Sequence, residues 1–278
     1  MRRIALAAIL PGVVVSVASA WPGQAATPRL VQVGQVIVQD IRVPVAGQPA
    51  VQAYLVRNEG VRPGSQAGVL GLHWLGQIHS DRTEFLAEAI QMASHGVVSV
   101  LPQGSFPWLV NPRGTAQDVT LIHQQLEAFR ASLDALIATR YVDPSRVAVV
   151  GHDYGAMYGA LLAAEDHRVS AAVLATPDAT WGNWFVKYWL GYKGEQERKY
   201  KALFTGLEPV RHVSRLGGRE LFQWAGQDIY VGEAVRKLFA QAAPLAKVDL
   251  YANSDHQLIT QAKIDRDAFL AQILGLPR

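Results

Sequence analysis

Gly151-His152-Asp153-Tyr154-Gly155 lies between a β-branched run at residues 147–150 and an Ala/Leu-rich stretch that follows. These five residues decide the fold. A strand that hands over to a helix across two glycines makes a turn too tight for side chains at 151 and 155. That turn pushes residue 153 out over the end of the sheet. A polar residue held this way is a nucleophile mounted on a strained strand-to-helix turn. Serine is the usual occupant, and here it is aspartate. A serine attacks an acyl carbonyl. A carboxylate is suited to displacing a leaving group at a saturated carbon, which leaves an alkyl ester for water to hydrolyse.

On either side of this turn the chain alternates between two periodicities. Residues 33–44 and 50–57 read as strands joined by a turn at Gly47-Gln48-Pro49. Residues 67–72, 97–101, 146–150, 170–174, 220–225 and 247–251 are short apolar runs that read as strands. Between them, residues 82–94, 119–139, 156–164, 232–243 and 260–274 read as helices. Short apolar strands separated by amphipathic helices predict an α/β fold, with a mostly parallel central sheet covered by helices on both faces. Residues 31–278 are expected to form one domain. Residues 178–212, crowded with aromatics and lacking β periodicity, are expected to be an insertion acting as a lid.

The first twenty residues read as a signal peptide. Arg2 and Arg3 precede an apolar stretch at 4–17, and Ala18-Ser19-Ala20 has the small-x-small form of a cleavage site, with 24–26 as a slightly later alternative. The apolar stretch is too short for a comfortable membrane span, so no stable membrane insertion is expected once it is removed. An exported protein, periplasmic or secreted, is the expectation. Without residues 1–20 the formal charge falls from +3 to +1. No Lys/Arg cluster then remains to follow a phosphate backbone, which argues against a nucleic-acid partner. The chain has no cysteine. That excludes disulfides, cysteine nucleophiles and thiolate metal centres. No metal and no organic cofactor are expected, and the oligomeric state is not legible.

An activated aspartate needs a base for the hydrolytic water, and the base needs an orienting acid. Asp228, in Gly226-Gln227-Asp228, follows one strand, and His256, in Ser254-Asp255-His256, follows the last. Both therefore fall at the carboxyl edge of the sheet, where open α/β sheets bind ligands. The order nucleophile, acid, histidine supports Asp153, Asp228 and His256 as the catalytic set. Asp255 is a rival for the acid, but adjacency to His256 turns the two side chains apart. His73 and His152 read as loop-holding residues. The backbone N–H groups of Leu75 and Tyr154 are expected to cradle the carboxylate oxygen that becomes a tetrahedral centre. Trp181, Trp184, Tyr188 and Tyr192 are spaced three to four apart and are expected on one helical face over the pocket. Trp74, Phe106 and Trp108 lie in loops at the same edge, to close an apolar cavity for a small, mostly uncharged molecule.

On these motifs the chain resembles the α/β-hydrolase superfamily. Its plan over residues 35–275 is similar to the dienelactone-hydrolase-like branch, whose nucleophile is cysteine or serine. Gly-His-Asp-Tyr-Gly-Ala instead resembles the elbow of epoxide hydrolases. Haloalkane dehalogenases also place aspartate there, followed by a tryptophan where this chain has Tyr154. The resemblance implies Asp153 as nucleophile, His256 as base and Asp228 as its acid. It also implies cap tyrosines as acids, with Tyr188, Tyr192 and Tyr200 as possible equivalents. Epoxide hydrolysis is favoured over dehalogenation. The alternatives are an esterase or lactonase using the aspartate as a base, and an inactive exported binding protein on the same scaffold.

Overall fold

The computed structural model describes residues 13–14, 30–76 and 78–277. The expected signal peptide lies almost wholly outside the described residues. Among the described residues, ten strands form one sheet in the order β1-β2-β3-β4-β6-β5-β7-β8-β9-β10. An antiparallel part comprises β1 (Val13–Val14), β2 (Leu30–Val33), β3 (Val36–Val45) and β4 (Gln48–Asn58). β4 also pairs antiparallel with β6 (Val97–Pro102). From β6 the sheet is parallel through β5 (Gln66–Leu72), β7 (Val142–His152), β8 (Ala171–Ala175), β9 (Glu220–Ala225) and β10 (Lys247–Tyr251).

The expected strand at 33–44 is divided. Gly34, at φ 60°, turns the chain, so Val33 closes β2 and β3 starts at Val36. β7 begins earlier than expected, because the Asp143-Pro144 segment is absorbed into it across a register shift opposite Gln66 and Gly68. The helix expected from residue 82 begins at Leu86 instead. Ahead of it, Asp81 accepts the Thr83 N–H and holds a turn.

The parallel strands are apolar on both faces because both are covered. Along β7, Val147 and Val149 pack with α2 (Gln117–Ala138) and α3 (Tyr154–Glu165). Ala148 and Val150 point the other way, toward α1 (Leu86–Ala93) and α8 (Thr260–Ile273) through Met92 and Leu270. The period-two alternation of a strand thus feeds two cores. Each fully buried valine or leucine contributes about 1.5–3 kcal/mol. α7 (Glu233–Ala242) adds Phe239 to the α2/α3 side.

The insertion is helical but broken. It runs through α4 (Trp181–Phe185), a π-turn at Val186–Leu190, α5 (Gly194–Ala202), α6 (Pro209–His212) and a 3₁₀ turn at Val213–Leu216. No helix among the described residues is long and apolar enough to cross a membrane.

Strand order sets the place of the site. β5 lies between β6 and β7, so the chain leaves β5 for one neighbour and returns to the other. The loops after β5 and β7 diverge at that point and open a crevice at the carboxyl ends of the strands.

Candidate active site

Asp153 sits between β7 and α3 with φ 54° and ψ −119°, a backbone conformation costing about 1–3 kcal/mol outside glycine. Two backbone bonds hold it there. Its N–H donates to the Ala175 carbonyl at 2.9 Å, and its carbonyl accepts from Met157 N–H at 3.0 Å. The flanking glycines have a steric reason. A Cβ on Gly155 would lie 2.0 Å from the Leu72 carbonyl oxygen, and one on Gly151 would lie 2.4 Å from the Gly155 carbonyl oxygen.

The loop after β5 brings the Leu75 N–H to Asp153 Oδ2 at 3.0 Å. Asp153 Oδ1 is buried and has no hydrogen-bond partner among the described residues. The Tyr154 N–H heads α3, where helix geometry gives it no intrahelical acceptor. Among the described hydrogen bonds, only that from the Leu75 N–H reaches the carboxylate.

The loop after β10 brings His256 Nε2 to 3.7 Å from Asp153 Oδ1, an ion-pair distance rather than a hydrogen bond. His256 Nδ1 lies 2.8 Å from Asp228 Oδ2. The other Asp228 oxygen accepts the N–H groups of Tyr230 and Val231 at 2.8 and 3.0 Å, which fixes the carboxylate plane. Burial opposes the His256 charge, but carboxylates beside both ring nitrogens outweigh it and hold His256 up to about 9. Burial likewise opposes the Asp228 charge. The His256 bond and the two N–H groups nevertheless keep its carboxyl below the ordinary aspartate value. Asp255 turns away and accepts the Gln257 N–H at 3.1 Å.

A cavity of about 520 Å³ opens onto Asp153 and His256. Trp74, Leu75, Tyr154, Trp184, Tyr188, Trp189, Ile229 and Tyr230 give it apolar and aromatic walls, with Gln227, Asp255 and Gln257 at its polar edge. Trp74, Trp184 and Tyr188 stand where the sequence predicts. The other four expected aromatics do not. Trp181 is fully buried against Tyr158 and Tyr154, because the first turn of the insertion packs onto α3. Tyr192 lies beyond the helix end at Gly191 and directs its hydroxyl toward the Gly114 carbonyl. Trp108 packs behind the site between His73 and Tyr158 and donates to the Trp74 carbonyl at 2.7 Å. Phe106 is likewise core.

The expected single face fails at the π-turn, where Gly191 N–H bonds back five residues to Val186. That extra residue rotates Trp189 onto the cavity. Trp189 Nε1–H donates to the Tyr154 hydroxyl at 3.0 Å. Burial raises Tyr154 well above the ordinary phenol value, so it stays neutral. Tyr188 donates to the Tyr230 carbonyl, and Tyr200 donates to Asp118 at 2.6 Å, away from the cavity lining.

Sequence reasoning missed Trp189, Tyr230, Ile229, Gln227 and Gln257 as wall residues, although the last four lie within two residues of Asp228 or His256. Asp178 was also missed. It is buried after β8, and burial, with the Asp153 charge adding to it, pushes its carboxyl up to about 6. His73 holds its loop. Its Nε2 accepts the Gly104 N–H at 2.8 Å, and burial lowers its basicity.

Residues 65–222 match the family model described as the alpha/beta hydrolase fold. No curated protein sequence matches the chain. Among solved structures, it is similar to the acetyl xylan esterase from Paenibacillus sp. R4, with TM-score 0.74 and 17% identity over 89% of this chain and 88% of that one. It is similar to a cold-adapted esterase from an Arctic intertidal metagenomic library, with TM-score 0.62 and 16% identity over 92% and 100%. It is also similar to a Klebsiella pneumoniae subsp. pneumoniae MGH 78578 protein assigned as a dienelactone hydrolase, with TM-score 0.61 and 15% identity over 86% and 98%. At such identities the likeness is one of fold. The family match spans more than half of the chain and includes β5, β7, the strained turn and the insertion. The chain belongs to the α/β-hydrolase fold family.

Proposed function

We propose that the protein is a cofactor-independent hydrolase of a small, largely apolar organic substrate, with Asp153 attacking a saturated carbon. One observation carries this reading. The Leu75 N–H already binds Asp153 Oδ2, while Oδ1 has no hydrogen-bond partner among the described residues and lies beside His256. A carboxylate so held has one oxygen stabilised and the other ready to form a bond. Attack by Oδ1 breaks the bond from carbon to its leaving group and gives a neutral alkyl ester. Water then adds to the ester carbon. Oδ2 becomes the oxyanion on the Leu75 N–H, and collapse expels the alcohol and restores the carboxylate.

The resting imidazolium suits this order of events. His256 is held charged partly by the Asp153 carboxylate. Forming the ester removes that charge, so His256 gives up its proton and becomes the base for water at the step that needs one. Where an epoxide opens, Tyr154 gives its proton to the departing alkoxide, and the proton released by His256 restores the phenol. Tyr154 supports epoxides over halides. Its oxygen accepts from Trp189, which leaves its own proton for a departing oxygen. This assigns the acid role to Tyr154 rather than to Tyr188, Tyr192 or Tyr200.

The second reading is an ester or lactone hydrolase in which Asp153 is a base toward water. The esterase and dienelactone hydrolase folds to which the chain is similar favour it. Against it, the N–H that would stabilise an acyl oxyanion is bound to Asp153 itself.

The test is intact-protein mass after brief mixing of His256→Gln protein with epoxides, haloalkanes and esters. An adduct on Asp153 from an epoxide or haloalkane is expected. Single turnover of the wild type in labelled water should leave the label in the carboxylate. Label appearing directly in the first product would install the base reading, and no turnover with any class would favour a binding protein. The Arg2-Arg3 and apolar N-terminal sequence supports export to the periplasm or medium. The mass of the protein recovered outside the cytoplasm tests cleavage after residue 20 or 26.

A further inference from the structure

Two histidines flank the reacting groups, and their partners differ in kind. His73 meets donors at one nitrogen and an acceptor at the other: the Gly104 N–H and the Gln103 amide point at Nε2, so Nδ1 carries the hydrogen and donates to the Trp74 carbonyl at 3.0 Å. A neutral imidazole satisfies both. His152 meets two acceptors. Its Nδ1 lies 2.6 Å from Glu84 Oε1, and its Nε2 lies 2.8 Å from the His256 carbonyl oxygen. Each contact requires a hydrogen, so the Glu84–His152 pair holds one proton more than a neutral imidazole and a carboxylate supply. Arg266 makes no hydrogen bond to Glu84, because its guanidinium is engaged by Glu88 and Gln223, and it acts on Glu84 only through space.

The connections continue on both sides. The other Glu84 oxygen accepts the Trp74 N–H at 2.6 Å. The Trp74 indole lies flat on the His152 ring, with centroids 5.0 Å apart and planes 5° apart. Four residues therefore form a continuous line from Trp74 through Glu84 and His152 to His256. At one end stands the residue before Leu75, whose N–H binds Asp153. At the other end stands the base. Two separate connecting segments, those after β5 and β10, meet the end of β7 here, and His152 is itself the neighbour of Asp153.

We propose that the Glu84–His152 pair is a positioning device for the reaction: the proton held between them fixes the Leu75 N–H and the His256 ring together, on either side of Asp153. The proposal rests on the reading of Asp153 and His256 as the reacting groups. Neither Glu84 nor His152 touches substrate. Both act through Trp74–Leu75 and His256. A displacement of about 1 Å in either reacting group costs about 10²-fold in rate while leaving ground-state binding intact.

Glu84→Gln and Glu84→Leu separate connection from bulk. The glutamine oxygen still accepts from Trp74, and its amide N–H donates to a His152 that now needs only one hydrogen. Leucine fills the space without either bond. Glu84→Leu is expected to lose about 10²-fold in kcat with KM changed by less than about threefold, and Glu84→Gln to recover to within about tenfold of wild type. A substrate-free readout accompanies the kinetics. In ¹⁵N spectra the His256 ring is expected to titrate near 9 in wild type. It should stay there in Glu84→Gln and fall by at least about one unit in Glu84→Leu, as the ring leaves its two carboxylates.

A folded Glu84→Leu protein with unchanged kcat and His256 titration overturns the proposal, as does Glu84→Gln behaving like Glu84→Leu. If Glu84→Leu does not fold, the wild type still decides. A His152 ring with either nitrogen free of a hydrogen bond overturns the proposal, and coupling from Nε2–H to the His256 carbonyl supports it. Failure to find an ester on Asp153 would remove the proposed reaction and leave these spectra readable on their own.

Discussion

The Leu75 N–H holds Asp153 Oδ2 at 3.0 Å, while Oδ1 of the same carboxylate is buried, without a hydrogen-bond partner among the described residues, and 3.7 Å from His256 Nε2. Asp153 is thus tied to the charge state of His256. Asp153→Asn should lower the ionisation of His256 from about 9 and abolish turnover, since an amide is a poor nucleophile. Stability carries the same signature. A folded-state value above the unfolded 6.5 stabilises the protein fully below pH 6.5, and that stabilisation is lost as pH rises through 9. Denaturant midpoints between pH 6 and 10 should fall for wild type and stay flatter for Asp153→Asn. An unchanged His256 titration in the variant would break the link.

Asp228→Asn should spare the first step and slow the second. The amide no longer supports the imidazolium, and the ring orientation that serves water attack is lost. A fall of about 10³–10⁴ in kcat is expected, by analogy with the orienting aspartate of serine hydrolases. Ester should accumulate on Asp153 in rapid-quench mass spectra. A loss of rate without accumulation would place Asp228 in the first step instead.

Two alanine substitutions in one segment should diverge. At Gly155 a Cβ would meet the Leu72 carbonyl at 2.0 Å, which is backbone and cannot move aside. At Gly159 the nearest atom is a Val149 methyl at 3.2 Å. Gly155→Ala should lose more than about 3 kcal/mol or fail to fold, and Gly159→Ala should stay within about 1–2 kcal/mol. Equal unfolding midpoints for the two would refute the steric argument.

Asp178 gives a stability prediction of the same sign as His256, in a lower pH window. Its folded value near 6 lies above the ordinary 3.8, so the folded state holds this proton more tightly than the unfolded chain does. That advantage is complete below about pH 4 and is lost as pH rises to 6. Asp178→Asn keeps an oxygen for the Thr180 N–H and never charges. Relative to wild type it should gain about 1–3 kcal/mol between pH 4 and 8, measured by chemical denaturation.

The candidate catalytic residues were legible in the sequence because each lies in the connection just after a strand of the parallel sheet. Strand ends converge on one edge, so Asp153, Asp228 and His256 could be brought together without knowing any contact. Leu75 was legible for the same reason, standing three residues past β5. The cavity wall was only partly legible. Trp184 and Tyr188 follow helical spacing, but a single π-turn rotated Trp189 in and left Tyr192 outside. A one-residue change in winding leaves no mark on the hydrophobic pattern. Asp178 and the Glu84–His152 contact were invisible for a different reason. Their roles come from partners far along the chain, and from burial that sequence spacing does not report.

The φ of 54° at position 153 is set by the two glycines and by backbone bonds to Ala175 and Met157, none of which uses the aspartate side chain. The turn is a mount, and the side chain is the tool fitted into it. A serine at 153 would inherit the same aim, keep His256 and Asp228 as they stand, and release the Leu75 N–H to a substrate carbonyl. One codon would then separate chemistry at saturated carbon from acyl transfer, with the cost of the strained turn already met by the scaffold in either case.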